Sequence, residues 1–210
     1  MLNNKFLLSL SFIIGLLFSS VTFAAEFEEG VHYKTFETPP KMLENTVLEF
    51  YWIACPHCKK LEPILTEWEE SEKPENVELI QVPSNMGQWS VYAKLEYALM
   101  STGKYDKEMK KDLFEFFSNP GDNDLNSWLS ERELSQESIQ ESLKNDKEIK
   151  NIVSRDYFLN KHYSKEIKGV PFIIVNGSYI INTDKMDYRD VPDLINYLLT
   201  LEPKEFKDIE

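Results

Sequence analysis

Cysteine is nearly missing from this chain: 210 residues hold two, Cys55 and Cys58. Both lie in one C-x-x-C, so none is left over to staple the fold. A bridge between them closes a loop too short to restrain much of the unfolded chain. The pair therefore serves chemistry rather than stability. Basic charge is also scarce. The 23 Lys and Arg stand against 36 Asp and Glu, a net charge of −13. No basic patch is available for phosphate contacts, which argues against nucleic acid as a partner. The excess negative charge favours a soluble monomer. Histidines number three. His32 and His162 have no paired ligand spacing, and His57 sits between the cysteines, where it cannot easily turn back to the same metal. A structural zinc site needs four ligands, so no metal is expected. Past residue 25 no apolar run is long enough to span a bilayer. Internal repeats and low-complexity linkers are missing too.

The start of the chain is different in kind. Lys5 gives a positive n-region, Phe6 to Phe18 is nearly all apolar, and Thr22 and Ala24 set small residues at a cleavage site. Residues 1–24 read as a secretory signal peptide, cleaved near Ala24, with a mature start near Ala25. Its removal takes away Lys5 and leaves a net charge of −14. The alternative, a retained membrane anchor, fits poorly with the immediate switch to Glu26, Glu28 and Glu29. Beyond it, 42% hydrophobic residues can bury a real core. The length suits one domain, or one domain with an inserted subdomain.

Val31 to Phe36 predicts a first strand. Thr46 to Trp52 predicts a stronger one, its near-continuous apolar run suggesting burial on both faces. A helix follows from Pro56 to about Glu70, with Pro63 inside it to kink it. Val77 to Val82 is the next strand. From about Gln88 to Lys165 the pattern turns helical, in four or five amphipathic stretches without a strand. Its stripes are Val91, Leu95, Ala98 and Leu99; Met109, Leu113, Phe116 and Phe117; Leu125, Trp128 and Leu129; Ile139 and Leu143; and Ile149, Ile152, Val153 and Tyr157. Asn119 to Asn123 breaks the run. Val170 to Val175 and Ser178 to Ile181 form a hairpin about Asn176-Gly177, the pair a tight type I′ turn wants. Val191 to Leu201 is a closing helix with Asp190 as N-cap and Pro192 in its first turn. The tail after Glu202 is expected to fray.

A C-x-x-C binds zinc or cycles between dithiol and disulfide. Cys55 lies where a buried strand ends and a helix begins, so its sulfur faces unpaired N–H groups and the positive helix end. That stabilises a thiolate, which attacks readily and also leaves readily when another thiol attacks a mixed disulfide. Cys58, one turn along and more buried, resolves the mixed disulfide or closes the ring. Pro56 and His57 tune the balance, His57 through a polarisable ring near Cys55 sulfur. Glu49 stands in a buried strand, where a carboxylate is costly unless paired or protonated. Its pKa is expected to rise, which suits proton exchange with Cys58. The alternative is an outward-facing strand glutamate.

Leu48-Glu49-Phe50 leading into Cys55-Pro56-His57-Cys58 resembles the DsbA family of periplasmic thiol oxidases, whose usual active site is Cys-Pro-His-Cys. A second match lies downstream: Gly169-Val170-Pro171, an apolar strand, then Asn176-Gly177. The resemblance implies an α/β, thioredoxin-like fold with an inserted all-helical subdomain. Residues 25–87 and 166–210 would form the thioredoxin-like domain and 88–165 the inserted helical domain. It implies a Cys55–Cys58 disulfide and a cis Val170–Pro171 bond facing it, the backbone of Val170 pairing with an extended client strand. The alternative is an ordinary trans proline starting an edge strand. The family pattern has a buried glutamate at Glu49, often with a lysine on the neighbouring strand. Val77 to Val82 holds no lysine, and Gln81 is nearest the expected position. The charge partner of Glu49 therefore stays open.

The function implied is donation of disulfides to newly exported, cysteine-containing proteins, with no cofactor and with reoxidation by a membrane quinone-linked partner. The implied location is the periplasm. One rival is a disulfide isomerase or reductase of the same fold. Cys55 lies 30 residues after Ala25, which leaves no room for an N-terminal dimerisation domain. The valine before Pro171 also resembles the oxidases. Another rival, of a different class, is a peptide-binding chaperone module keeping an inert disulfide.

Overall fold

The computed structural model describes residues 27–119, 121 and 124–206. The expected signal segment, its cleavage site and the end of the acidic tail lie outside the described residues. The elements run β1 (Tyr33–Thr35), β2 (Thr46–Tyr51), α1 (Pro56–Ser71), β3 (Glu78–Pro83), α2 (Ser90–Met100), α3 (Lys107–Ser118), α4 (Leu125–Ser130), α5 (Gln136–Asn145), α6 (Lys147–His162), β4 (Phe172–Val175), β5 (Tyr179–Ile181) and α7 (Val191–Leu199).

One mixed sheet has the strand order β1-β5-β4-β2-β3. β2 pairs in parallel with β3 and antiparallel with β4. Flanked on both edges, all six of its residues are buried, as its unbroken apolar run suggests. Successive residues point to opposite faces. Leu48 and Phe50 pack with Leu159, Tyr163 and Ile167. Val47 packs with Leu61, Leu65 and Trp68 of α1. Tyr51 packs with Cys55 and Cys58. Glu49 lies two residues from Val47 and from Tyr51 and shares their face, so it faces α1. Its cross-strand neighbour is Gln81 on β3.

α1 runs through Pro63 to Ser71 and buries Cys58, Leu61, Leu65 and Trp68, spaced by three and four residues. That stripe fixes how the helix lies on the sheet, each large apolar side chain contributing roughly 1.5–3 kcal/mol on burial. The hairpin forms at Asn176 (φ 50°) and Gly177 (φ 60°). A Cβ on Gly177 would sit 3.0 Å from Pro39 Cβ and 3.1 Å from Leu43 Cβ, so both its backbone and its surroundings demand glycine. Val175 pairs with Tyr179 rather than Ser178. Ser178 thus becomes an extra residue, its N–H donating to Val175 and its carbonyl accepting from Phe36 N–H.

Five helices, α2 to α6, occupy the stretch between β3 and β4. Four of them begin at side-chain caps: Asp106, Asp124, Ser135 and Asp146. Two expected core positions are instead exposed, Val91 at 64% and Tyr157 at 63%. Polar neighbours hold the buried faces in their place. α2 turns in Ala93, Glu96 and Tyr97, and α6 turns in Asp156 and Asn160. Tyr97 OH donates to Asp156, and Arg155 donates to the same carboxylate. Paired this way, the polar groups tolerate burial. The closing helix begins after Asp190 and carries Pro192 in its first turn, but Asp190 makes no side-chain capping bond. Asp187 caps instead, accepting from Arg189 N–H at the short turn Tyr188–Asp190.

Candidate active site

β2 ends at Tyr51, and the chain turns through Trp52 to Ala54 before α1 starts. Cys55 N–H donates to Trp52 C=O (2.8 Å), and Cys55 C=O accepts the first helical bond from Lys59 N–H (3.0 Å). Cys55 is therefore the N-cap residue of α1 and Pro56 its first helical residue. Pro56 lacks only an N–H that would have had no helical partner there. Pro56 and His57 are exposed, whereas Cys55 and Cys58 are buried. Both cysteines are free thiols in this structure.

The two thiols differ sharply in acidity. The Cys55 thiol is lowered to about 6, first because the Cys58 side chain donates to it. The backbone N–H groups of Cys58 and His57 and the His57 charge add to this against the cost of burial. Cys58 is pushed well up by burial, by donating to Cys55 and by the charges of Glu49 and Cys55. One helix turn thus separates a thiol that ionises near neutrality from one that stays protonated.

The second sequence motif lies against the first. The Val170–Pro171 bond is cis. Val170 C=O accepts from the Cys55 thiol at 3.5 Å, across 115 residues of chain. That contact is open only to protonated Cys55, since a thiolate has no proton to donate. Val170 is half-buried and Pro171 buried. Beside them a cleft of about 360 Å³ is lined by His57, Val170, Pro171, Phe172, Thr183 and Tyr188. Tyr188, which the sequence did not single out, sets its ring edge-on to His57, with centroids 6.4 Å apart.

Glu49 is fully buried, which removes the outward-facing alternative. Gln81 Nε2 donates to its Oε2 at 2.7 Å, while Oε1 has no hydrogen-bond partner among the described residues. Burial raises the carboxyl to about 7, with the Glu62 charge adding and Lys110 and Gln81 opposing. Gln81, nearest to where the strand lysine was expected, does face Glu49. The cation comes from elsewhere: Lys110 on α3 donates to Gln81 Oε1 (2.7 Å) and to Glu62 (2.8 Å). Sequence reasoning missed Lys110 and Glu62. A signal existed, because Lys110 lies three and four residues before Leu113 and Phe114, on the apolar face of α3.

No family model matches the chain. It is 27% identical over 139 residues to the thiol:disulfide interchange protein DsbA of Pseudomonas syringae pv. tomato, a match spanning 63% of each chain. It is 26% identical over 174 residues to the DsbA of Pseudomonas aeruginosa, over 78% of this chain and 79% of that one. The crystal structure of Pseudomonas aeruginosa DsbA superposes with a TM-score of 0.67 at 23% identity, covering 82% of this chain and 93% of the other. The fold is thus thioredoxin-like with a helical insertion. Among the described residues no helix is long and apolar enough to cross a membrane. Relatives and fold agree with the C-x-x-C at the head of α1: all three liken the chain to the DsbA thiol:disulfide interchange proteins.

Proposed function

We propose that this protein donates the Cys55–Cys58 disulfide to exported, cysteine-containing clients in the periplasm. A client thiolate attacks Cys55 Sγ, and the Cys55–Cys58 bond breaks with its electron pair leaving on Cys58 Sγ. Cys58 takes a proton from the Glu49 carboxyl, which regains one from solvent. The client is now held to Cys55 by a mixed disulfide. A second client thiolate attacks the client sulfur of that bond, and Cys55 leaves as a thiolate. The client has gained a disulfide and the protein is the dithiol, two electrons richer. A membrane quinone-linked partner reoxidises it.

The observation that carries this reading is the contrast between the two thiols. Cys55, lowered to about 6, is the better leaving group and is the sulfur nearer the cleft residue Val170. Cys58, held protonated, drives the first step forward once it is expelled. Glu49, raised to about 7, still carries a proton to give near neutrality. His57 and Pro56 shape the exposed rim, and Val170 and Pro171 offer backbone to an extended client segment. Residues 88–165 serve as an inserted helical domain beside a thioredoxin-like domain built from 25–87 and 166–210.

Thiolate absorbance of the reduced protein against pH tests the reading. Cys55 should titrate near 6, and the signal should vanish in Cys55→Ser. A Cys55 that titrates like an ordinary thiol would sink the oxidase reading and favour a peptide-binding module.

A further inference from the structure

The polar groups behind Cys58 come from four elements: Glu49 from β2, Gln81 from β3, Glu62 from α1 and Lys110 from α3. Gln81 is their hub. Its Nε2 donates to Glu49 Oε2 (2.7 Å) and to Glu62 Oε2 (2.9 Å), and its Oε1 accepts from Lys110 Nζ (2.7 Å). Lys110 also donates to Glu62 Oε2 (2.8 Å) and lies 4.3 Å from the centre of the Tyr51 ring. The lysine side chain is 7% exposed and that of Glu62 13%.

We propose that Lys110 is a positioning residue of the redox centre, fixing the orientation of Gln81 and through it how tightly Glu49 holds its proton. An amide has one accepting end and one donating end. An ammonium bound to Oε1 leaves only the NH₂ end for the carboxylates. Without Lys110 the amide is free to turn, and Glu49 would lose its one hydrogen-bond donor. The charges act in the same direction. One buried cation faces two carboxyls, Glu62 and Glu49, and can neutralise one. Glu62, in direct contact with the ammonium, takes that share. Glu49, deeper and touching only the amide, keeps a proton instead. Cys55 and Cys58 face Glu49 from the head of α1 and add negative charge when ionised. Glu96 on α2 reaches the group through Tyr51, whose hydroxyl donates to it at 2.6 Å. The helical insertion thereby supplies the charge that β3 lacks, and the sheet alone would not set the state of Glu49.

This inference rests on the reading of Glu49 as proton donor to Cys58, yet its test is separate. In the full mature protein, ¹³C NMR of labelled glutamate carboxyls, assigned with Glu49→Gln, reports the titration of Glu49 directly. Lys110→Met should move that titration upward by about one pH unit, a tenfold change in proton affinity. Lys110→Arg should restore most of it. Gln81→Leu should raise it too while leaving the Lys110–Glu62 pair in place, and it carries the test if Lys110→Met does not fold. An unmoved Glu49 titration in a folded Lys110→Met or Gln81→Leu protein overturns the proposal. Cys55 absorbance measured on the same samples tells the two readings apart, because an ordinary Cys55 thiol would remove the oxidase function and leave the Lys110–Glu49 coupling standing.

Discussion

Two carboxyls are buried in this protein by different means. Glu49 sits on β2 behind the thiol pair and Glu96 on α2 within the helical block. Both are 0–1% exposed, both are raised to about 7 chiefly by burial, and each has an Oε1 without a partner among the described residues. Their other oxygens differ. Glu96 Oε2 accepts from two neutral hydroxyls, Tyr51 and Tyr105, each at 2.6 Å. Glu49 Oε2 accepts from one amide, which it shares with Glu62 and which Lys110 holds from behind. Two tyrosines pin Glu96 between β2 and the segment after α2, a structural tie. Glu49 is held by a single donor, next to a thiol whose charge it changes. Equal burial thus yields a fixed strut in one place and, in the function proposed, a proton store in the other.

Stability against pH should not distinguish them, which makes it the first control. For each carboxyl the folded value, about 7, lies above the ordinary glutamate value of 4.5. The burial cost is therefore absent below 4.5 and grows until pH passes about 7, so the folded state loses stability over that window. The loss is on the order of 3 kcal/mol per carboxyl. Glu49→Gln and Glu96→Gln should each remove about half of the combined fall, as read by urea unfolding at pH 5 and pH 8. A fall of full size in Glu96→Gln would mean that Glu96 is ionised throughout.

The rate of disulfide exchange should separate them. Glu49→Gln should slow oxidation of a reduced client peptide at neutral pH by about tenfold to a hundredfold, the lower range for a positioned proton donor. Glu96→Gln should leave that rate within about twofold, since it removes no group that touches the thiols. Equal slowing in both variants would break the distinction and make the acid cluster a single functional unit.

Residue pattern alone made half of this visible. β2 was legible because flanking strands demand an apolar run, and Glu49 stood out as the one charge within it. The thiol pair was legible as a short motif whose chemistry needs those residues, and Val170-Pro171 only through the resemblance to the DsbA family. The hairpin was legible from Asn176-Gly177, but not the extra residue at Ser178, which pairing with Phe36 on the approach from β1 decides. The helical stripes were read too simply. Val91 was assigned inward but is exposed, while Glu96, which the stripe passed over, is buried because two tyrosines satisfy it. Lys110 showed only as a charge on the apolar face of α3. Its partners come from α1 and β3, and no periodicity within α3 reports what lies across from it.

The smallest expected effect probes the strut itself. Tyr105 and Tyr51 donate to the same oxygen of Glu96, but Tyr51 also packs under Lys110 and beside the thiol pair. Tyr105→Phe removes one hydroxyl and leaves ring and fold in place. The cost should be about 1 kcal/mol by urea unfolding, the usual net value of one hydrogen bond, because Tyr51 still satisfies the acceptor. Losing a donor to its charged form should raise Glu96 further, so the fall in stability should extend to higher pH. The Cys55 titration should not move, because Tyr105 reaches the redox centre only through Glu96 and Tyr51. A shifted Cys55 in Tyr105→Phe would show that protons or charge pass along the tyrosine bridge, and Glu96 would then belong with Glu49 rather than in contrast to it.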